Sequence, residues 1–175
     1  MLQLTKRVDY ALIALTHLAL QPEARISARE LASTYELSQP LVANVLKALA
    51  RGALLESVRG TKGGYRLAVP AERLTVGRVA ELLEGPLRLT DCISDSDVRS
   101  HQPTRRREAA EAGCCLSRTC PVRQSVFRIH LKIRDVLYGV SVAELARASR
   151  RTGESLPTVS LAEVEAARQG AEEAP

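Results

Sequence analysis

Tryptophan is absent, phenylalanine occurs once, and aromatic residues make only 3% of the 175-residue chain. Proteins that hold single-stranded nucleic acid by stacking bases on rings need more than this, so that class is set aside. Long apolar runs are missing too. The best candidate, residues 11–20, is interrupted by Thr16 and His17 and is too short to cross a bilayer. With no secretory leader evident, a cytoplasmic location without a membrane partner is the expectation. The chain shows no internal repeat. It also lacks a positioned carboxylate or lysine motif of the kind an active site requires, so no catalytic residue is assigned. Its four cysteines are not arranged as the two close pairs of a structural zinc site. In a cytoplasmic chain they point to metal ligands or redox thiols rather than structural disulfides.

What is present is enough for one good core plus an appendage, since hydrophobic residues make 45% of the sequence. The formal net charge is +5, and it is unevenly spread. Residues 1–70 hold nine basic and five acidic side chains, whereas 141–175 hold four and six. The basic half is therefore the half to search for a polyanion site.

That half contains residues 27–67, SARELASTYELSQPLVANVLKALARGALLESVRGTKGGYRL. Ser27 with Glu30 makes a capping box that opens a short helix with Leu31 on its core side. Tyr35, Glu36 and Leu37 break it. Ser38 stands as the cap of a second helix running to about Arg51, with Leu41, Val45, Leu46 and Leu49 on one face. Two such helices joined by a tight turn predict helix-turn-helix, whose second helix enters a DNA major groove. Strand-like runs at 54–58 and 65–69 follow, and Arg59-Gly60-Thr61-Lys62-Gly63-Gly64 between them reads as a hairpin tip. A hairpin directly behind a helix pair is the wing of a winged helix.

Elsewhere, Thr5 can cap a first helix to about Leu20, with Val8, Leu12, Leu15 and Ala19 as its packing face. Lys6 and Arg7 at its start suggest an outside anion or simply solvated charges. Thr75 caps a helix carrying Val76, Val79, Ala80, Leu82 and Leu83, and Gly85-Pro86 stops it. Residues 91–113 have almost no hydrophobic period and read as a long loop. Pro121 then starts the longest periodic segment. Val122, Val126, Ile129, Ile133 and Val136 repeat at 4, 3, 4, 3, a narrow heptad stripe suited to pairing with a second copy, or to packing on its own domain. Ser141 with Glu144, and Ser160 with Glu163, make two further capping boxes, and a tail follows.

Cys92 stands alone, while Cys114, Cys115 and Cys120 cluster 22 residues later. Cys120 directly precedes the Pro121 helix, where a thiolate is favoured. On spacing alone three readings stay open: a soft metal centre, either zinc or an iron–sulfur cluster; a redox disulfide switch; or inert thiols.

The stretch SQPLVANVLKALARGALLESVRGTKGGYRLA resembles the recognition helix and wing of the IscR/NsrR-type (Rrf-type) winged-helix transcriptional regulators. LTKRVDYAL, ELLEGPLRLTDC and CLSRTCPVR match the same family, over roughly residues 1–148, with the nearest likeness to the subgroup that regulates SUF iron–sulfur assembly. The resemblance implies a homodimer paired through the 121–138 helix. It also implies an iron–sulfur cluster, 2Fe–2S in preference to 4Fe–4S, held by Cys92, Cys114 and Cys120. The aspartate of the opening motif falls on Asp9, a carboxylate that could complete the ligand set or simply favour the helix N-terminus. The gap between Cys92 and Cys114 is longer than the family pattern, and residues 94–112 must loop out. His101 lies in that insertion as a substitute ligand.

The expectation is thus a mainly α chain with a small β-hairpin wing. Residues 1–70 form the winged helix-turn-helix domain, 71–86 a connecting helix, and 87–120 the cysteine-bearing loop. Residues 121–150 are the dimerisation helix and a short successor, and 151–175 the tail. Gln39, Pro40, Val42, Ala43 and Asn44 open the recognition helix, with Gln39 or Asn44 able to bond adenine edges. Ser38 and Lys47 would hold phosphate. Arg59 would enter the minor groove or meet backbone, with Lys62, Lys6 and Arg7 on phosphate. The predicted function is regulation of iron–sulfur assembly or iron-homeostasis genes through a palindromic double-stranded operator. Alternatives are a thiol-redox or zinc-dependent repressor using the same cysteines, and an iron–sulfur enzyme of nucleic acid.

Overall fold

The computed structural model describes residues 4–60, 63–90, 93 and 119–150. Lys62, Cys92, Cys114, Cys115, His101 and the Ser160–Glu163 pair lie outside these described residues. Helix α1 (Lys6–Leu20) begins at Thr5, whose hydroxyl accepts the Val8 N–H. Helix α2 (Ala28–Thr34) carries the expected capping box, with Ser27 N–H donating to Glu30 at 2.8 Å and Glu30 N–H to the Ser27 hydroxyl at 3.2 Å. Those bonds hold the Glu30 carboxyl below its ordinary range. Helix α3 (Gln39–Arg51) places Pro40 in its first turn, where the missing N–H is no loss.

Both helices of this pair end the same way. Glu36 (φ 53°) follows α2 and Ala53 (φ 56°) follows α3 in the left-handed region. Leu37 N–H then returns to Ala32 O at 2.9 Å, and Leu54 N–H to Leu49 O at 3.0 Å. These are Schellman stops, although neither uses the glycine that would relieve the strain.

Strands β1 (Leu55–Val58) and β2 (Gly64–Leu67) pair antiparallel with Leu55 opposite Leu67. Ile26 bridges the other edge of β2, exchanging both backbone bonds with Tyr65 at 3.1 and 2.9 Å, so the start of α2 is tied to the wing. A short 3₁₀ turn (Ala71–Arg73) leads to α4 (Val76–Glu84), capped by Thr75 and ended by Gly85. The long helix α5 (Arg123–Gly139) and α6 (Val142–Arg150) complete the described fold. Ser141 and Glu144 form the expected box at the start of α6.

One apolar core unites α1, α2, α3, the wing root, α4 and Val142 of α6. It corrects several face assignments. On α1 the fully buried set is Val8, Ala11, Ala14, Leu15 and Leu18, with Leu12 and Ala19 only partly covered. Helices α3, α4 and α6 all pack on α1, so its covered face is broader than one stripe. On α3, Val42 is buried and Leu41 only partly so, which removes Val42 from the groove-facing set. On α4, Leu82 is exposed at 39%. Helix α5 begins after Pro121 and Val122 rather than at them, and Gly139 is its last residue.

Candidate nucleic-acid interface and thiol site

The residues of α3 that the core does not use form one outward strip. Ser38, Gln39, Pro40, Asn44 and Lys47 are exposed, whereas Val42, Val45, Leu46 and Leu49 anchor the opposite side. Ser38 occupies the N-cap position without a side-chain capping bond, so its hydroxyl is not engaged in holding the helix. Arg51 shares the strip, seven residues after Asn44 and four after Lys47. Arg51 is not among the expected contacts, and its helical spacing from Asn44 and Lys47 is the signal that marks it.

The wing separates its cations into engaged and available ones. Arg66, opposite Glu56 in the register, donates through Nε and Nη2 to one Glu56 carboxylate oxygen at 2.9 and 2.8 Å. Arg59 is exposed and has no ion pair among the described residues. It directly precedes Gly60, whose φ of 125° turns the hairpin tip, and Gly63 N–H closes the turn on Gly60 O at 2.9 Å. Lys62, the other predicted wing cation, falls outside the described residues.

At the start of α1 the two predicted cations differ. Lys6 is exposed, whereas Arg7 lies 3.8 Å from Glu84, which also accepts the Thr5 hydroxyl at 2.9 Å. Arg7 is therefore drawn toward the end of α4. The other side of α1 meets the turn before α3. His17 Nδ1 and the Tyr35 hydroxyl are hydrogen-bonded at 3.0 Å with their rings edge to face, and burial lowers the His17 pKa.

Of the proposed cluster ligands, the structure describes two. Cys120 is a half-buried free thiol three residues before α5 begins, and Asp9 is exposed in the first turn of α1. Among the described residues no three His, Cys, Asp or Glu side chains converge as a metal site. Cys92 and Cys114 lie outside those residues.

The heptad stripe of α5 turns only in part away from its own chain. Val122, Ile129 and Val136 are 56%, 52% and 38% exposed, with Val126 and Ile133 partly covered. The face turned inward is carried instead by Phe127 and His130, the first packed with Ile93, Leu89 and Leu131. Packing on its own chain therefore takes in part of the stripe, with Val126 against the Ile93–Phe127 cluster and Ile133 beside His130, and leaves Val122, Ile129 and Val136 exposed.

A family model for Rrf2, an iron-dependent transcriptional regulator, matches residues 4–148. The chain belongs to the Rrf2 family. It is accordingly a DNA-binding transcriptional regulator and not an enzyme. Protein aau3 of Rhizobium meliloti is 28% identical over 147 residues, covering 84% of this chain and 86% of that protein. The HTH-type transcriptional regulator NsrR of Shouchella clausii is 35% identical over 94 residues, which is 53% of this chain and 63% of the relative. Among solved structures, CymR, the global cysteine regulator of B. subtilis, superposes with a TM-score of 0.62 at 23% identity. That match covers 85% of this chain and 98% of the other, and shows a shared fold. No described helix of this Rrf2 protein is long and apolar enough to cross a membrane.

Proposed function

We propose that this Rrf2 protein is a homodimeric regulator that reads a palindromic operator and senses iron–sulfur status through its cysteines. The observation that carries the reading is the placement of Cys120. It sits at the mouth of α5, the helix that leaves Val122, Ile129 and Val136 of its heptad stripe exposed, and α5 leads directly into the core that presents α3. A second copy would cover Val122, Ile129 and Val136, and the two α3 strips would then address successive major-groove segments. Gln39 and Asn44 have the amide pair that reads adenine, and Lys47, Arg59 and Lys62 supply charge for phosphate. Thiolates from Cys92, Cys114 and Cys120 make a donor set suited to an iron–sulfur cluster, with the Asp9 carboxylate as a harder and weaker fourth ligand. The family's description as iron-dependent supports this set, and iron–sulfur assembly or iron-homeostasis genes are the proposed targets. A bound cluster would bias DNA affinity only through a difference in its own affinity for the two arrangements of the dimer.

Anaerobic purification with iron and sulfide analysis tests the reading. Coloured, iron- and sulfide-bearing protein is expected, and Cys120→Ala should lose both while remaining a folded dimer. Iron-free wild-type protein, with promoter affinity that changes on thiol oxidation, would replace the cluster by the redox reading. Affinity indifferent to the cysteines would remove sensing altogether.

A further inference from the structure

Among the described residues, the C-terminal end of helix α5 joins α4 and its flanks through three kinds of contact. The first is backbone. Thr75 and Ser141 form an isolated antiparallel bridge, with Val76 N–H bonded to Val140 O at 3.0 Å and Val142 N–H to Leu74 O. The second is steric. Tyr138, the penultimate residue of α5, lies against α4 at Gly77, where any Cβ would overlap its ring. The third is polar. The Tyr138 phenol lies near the Glu81 carboxylate, one turn beyond Gly77 on the same face of α4, and burial first and that carboxylate second raise its pKa to about 12. Arg134, one turn earlier on α5, holds its guanidinium 4.8 Å from the ring centroid.

A bridge alone would leave α5 free to swing about a hinge. A ring seated on Gly77 restricts that freedom, because rotation of either helix drives the ring into the α4 backbone.

We infer that Tyr138, seated on Gly77, is a positioning residue that sets the angle between α5 and α3, and with it the half-site spacing a dimer accepts. The inference rests on the dimer reading above. In a two-fold dimer the separation of the α3 strips depends on how each core is held on its α5. A tilt of a few degrees at the joint is multiplied by the distance out to the groove.

The test uses the full chain and duplexes carrying a half-site recovered by selection from random-sequence DNA. It compares a single half-site with inverted pairs whose spacer varies one base pair at a time. Wild type should show one preferred spacer. Gly77→Ala should move that optimum, or lose about tenfold on the wild-type spacer, while single half-site affinity stays within about twofold. Tyr138→Ala removes the ring, serves should Gly77→Ala not fold, and should flatten the spacer profile, whereas Tyr138→Phe keeps the ring and should keep the wild-type optimum. Equal losses on every duplex, or an unmoved optimum in Tyr138→Ala and any folded Gly77→Ala, would overturn the joint while leaving the dimer intact. A wild type indifferent to spacing would overturn the dimer reading and the joint with it.

Discussion

The helix-turn-helix pair and the long helix α5 solve opposite problems. Helix α2 starts with a complete capping box, both α2 and α3 stop with a Schellman return, and the buried side of α3 faces its own chain. Helix α5 has Val122 as its N-cap, with no side-chain capping bond, and leaves Val122, Ile129 and Val136 of its heptad stripe exposed. One element is finished within the chain. The other, on the function proposed above, is finished by a second copy, which gives a rigid reader and a coupling surface whose energy depends on assembly.

Substitutions can break this contrast. Leu46 is fully buried in α3, so Leu46→Ala should cost about 2–5 kcal/mol in denaturant unfolding. Ile129→Glu on α5 should change the stability of the single chain by no more than about 0.5 kcal/mol. Sedimentation should nevertheless show it as a monomer. If Ile129→Glu unfolds the chain, or leaves the dimer intact, the stripe is not the pairing surface. Next in size, Ser27→Ala removes the hydroxyl half of the α2 box and should lower stability by about 0.5–2 kcal/mol. Smaller and of opposite sign, Ala53→Gly relieves the left-handed strain after α3 and should raise stability by about 0.5–1 kcal/mol, read as a higher Tm.

pH sharpens the same contrast without mutation. Glu30 and Glu144 have carboxyls lowered from 4.5 by their Ser27 and Ser141 bonds. Their stabilisation is present above pH 4.5 and is lost as pH falls through the lowered values. Tyr138 runs the other way. Its contribution is complete below pH 10 and is lost as pH rises through about 12. Acid unfolding should therefore be blunted by Glu30→Gln, and alkaline loosening of the α5 joint by Tyr138→Phe, each followed by circular dichroism across the stated range.

What could be read from residue order was whatever the chain encodes over one turn. Thr5, Thr75 and the Ser27–Glu30 and Ser141–Glu144 boxes are local hydrogen-bond arrangements, and each opens a helix where expected. Faces were harder. Val42 and Leu41 are adjacent, and only the position of α1 and α2 decides which is covered. Phe127 and His130 were hidden behind the stronger heptad pattern, because the face they turn inward overlaps that stripe at Val126 and Ile133. The Ile26–Tyr65 rung and the seat of Tyr138 on Gly77 join positions far apart in sequence, so no local period announces them. For the interface, the outward positions of Gln39, Asn44, Lys47 and Arg59 follow from helix and hairpin periodicity. The engagement of Arg7 by Glu84 does not, since it depends on where α4 ends.

Val142 is fully buried in the same core as Leu15 and Leu46, and Arg150 of α6 donates to the last carbonyl of α1, Leu20 O, at 2.9 Å. During synthesis the amino-terminal reader therefore waits for residues made more than a hundred codons later before its first helix is roofed over. A nonsense mutation upstream of codon 142 is expected to leave no constitutive fragment behind, because the stump that loses its coupling helix also loses the lid on its own interior. Selection for deregulated alleles should accordingly yield missense changes rather than truncations.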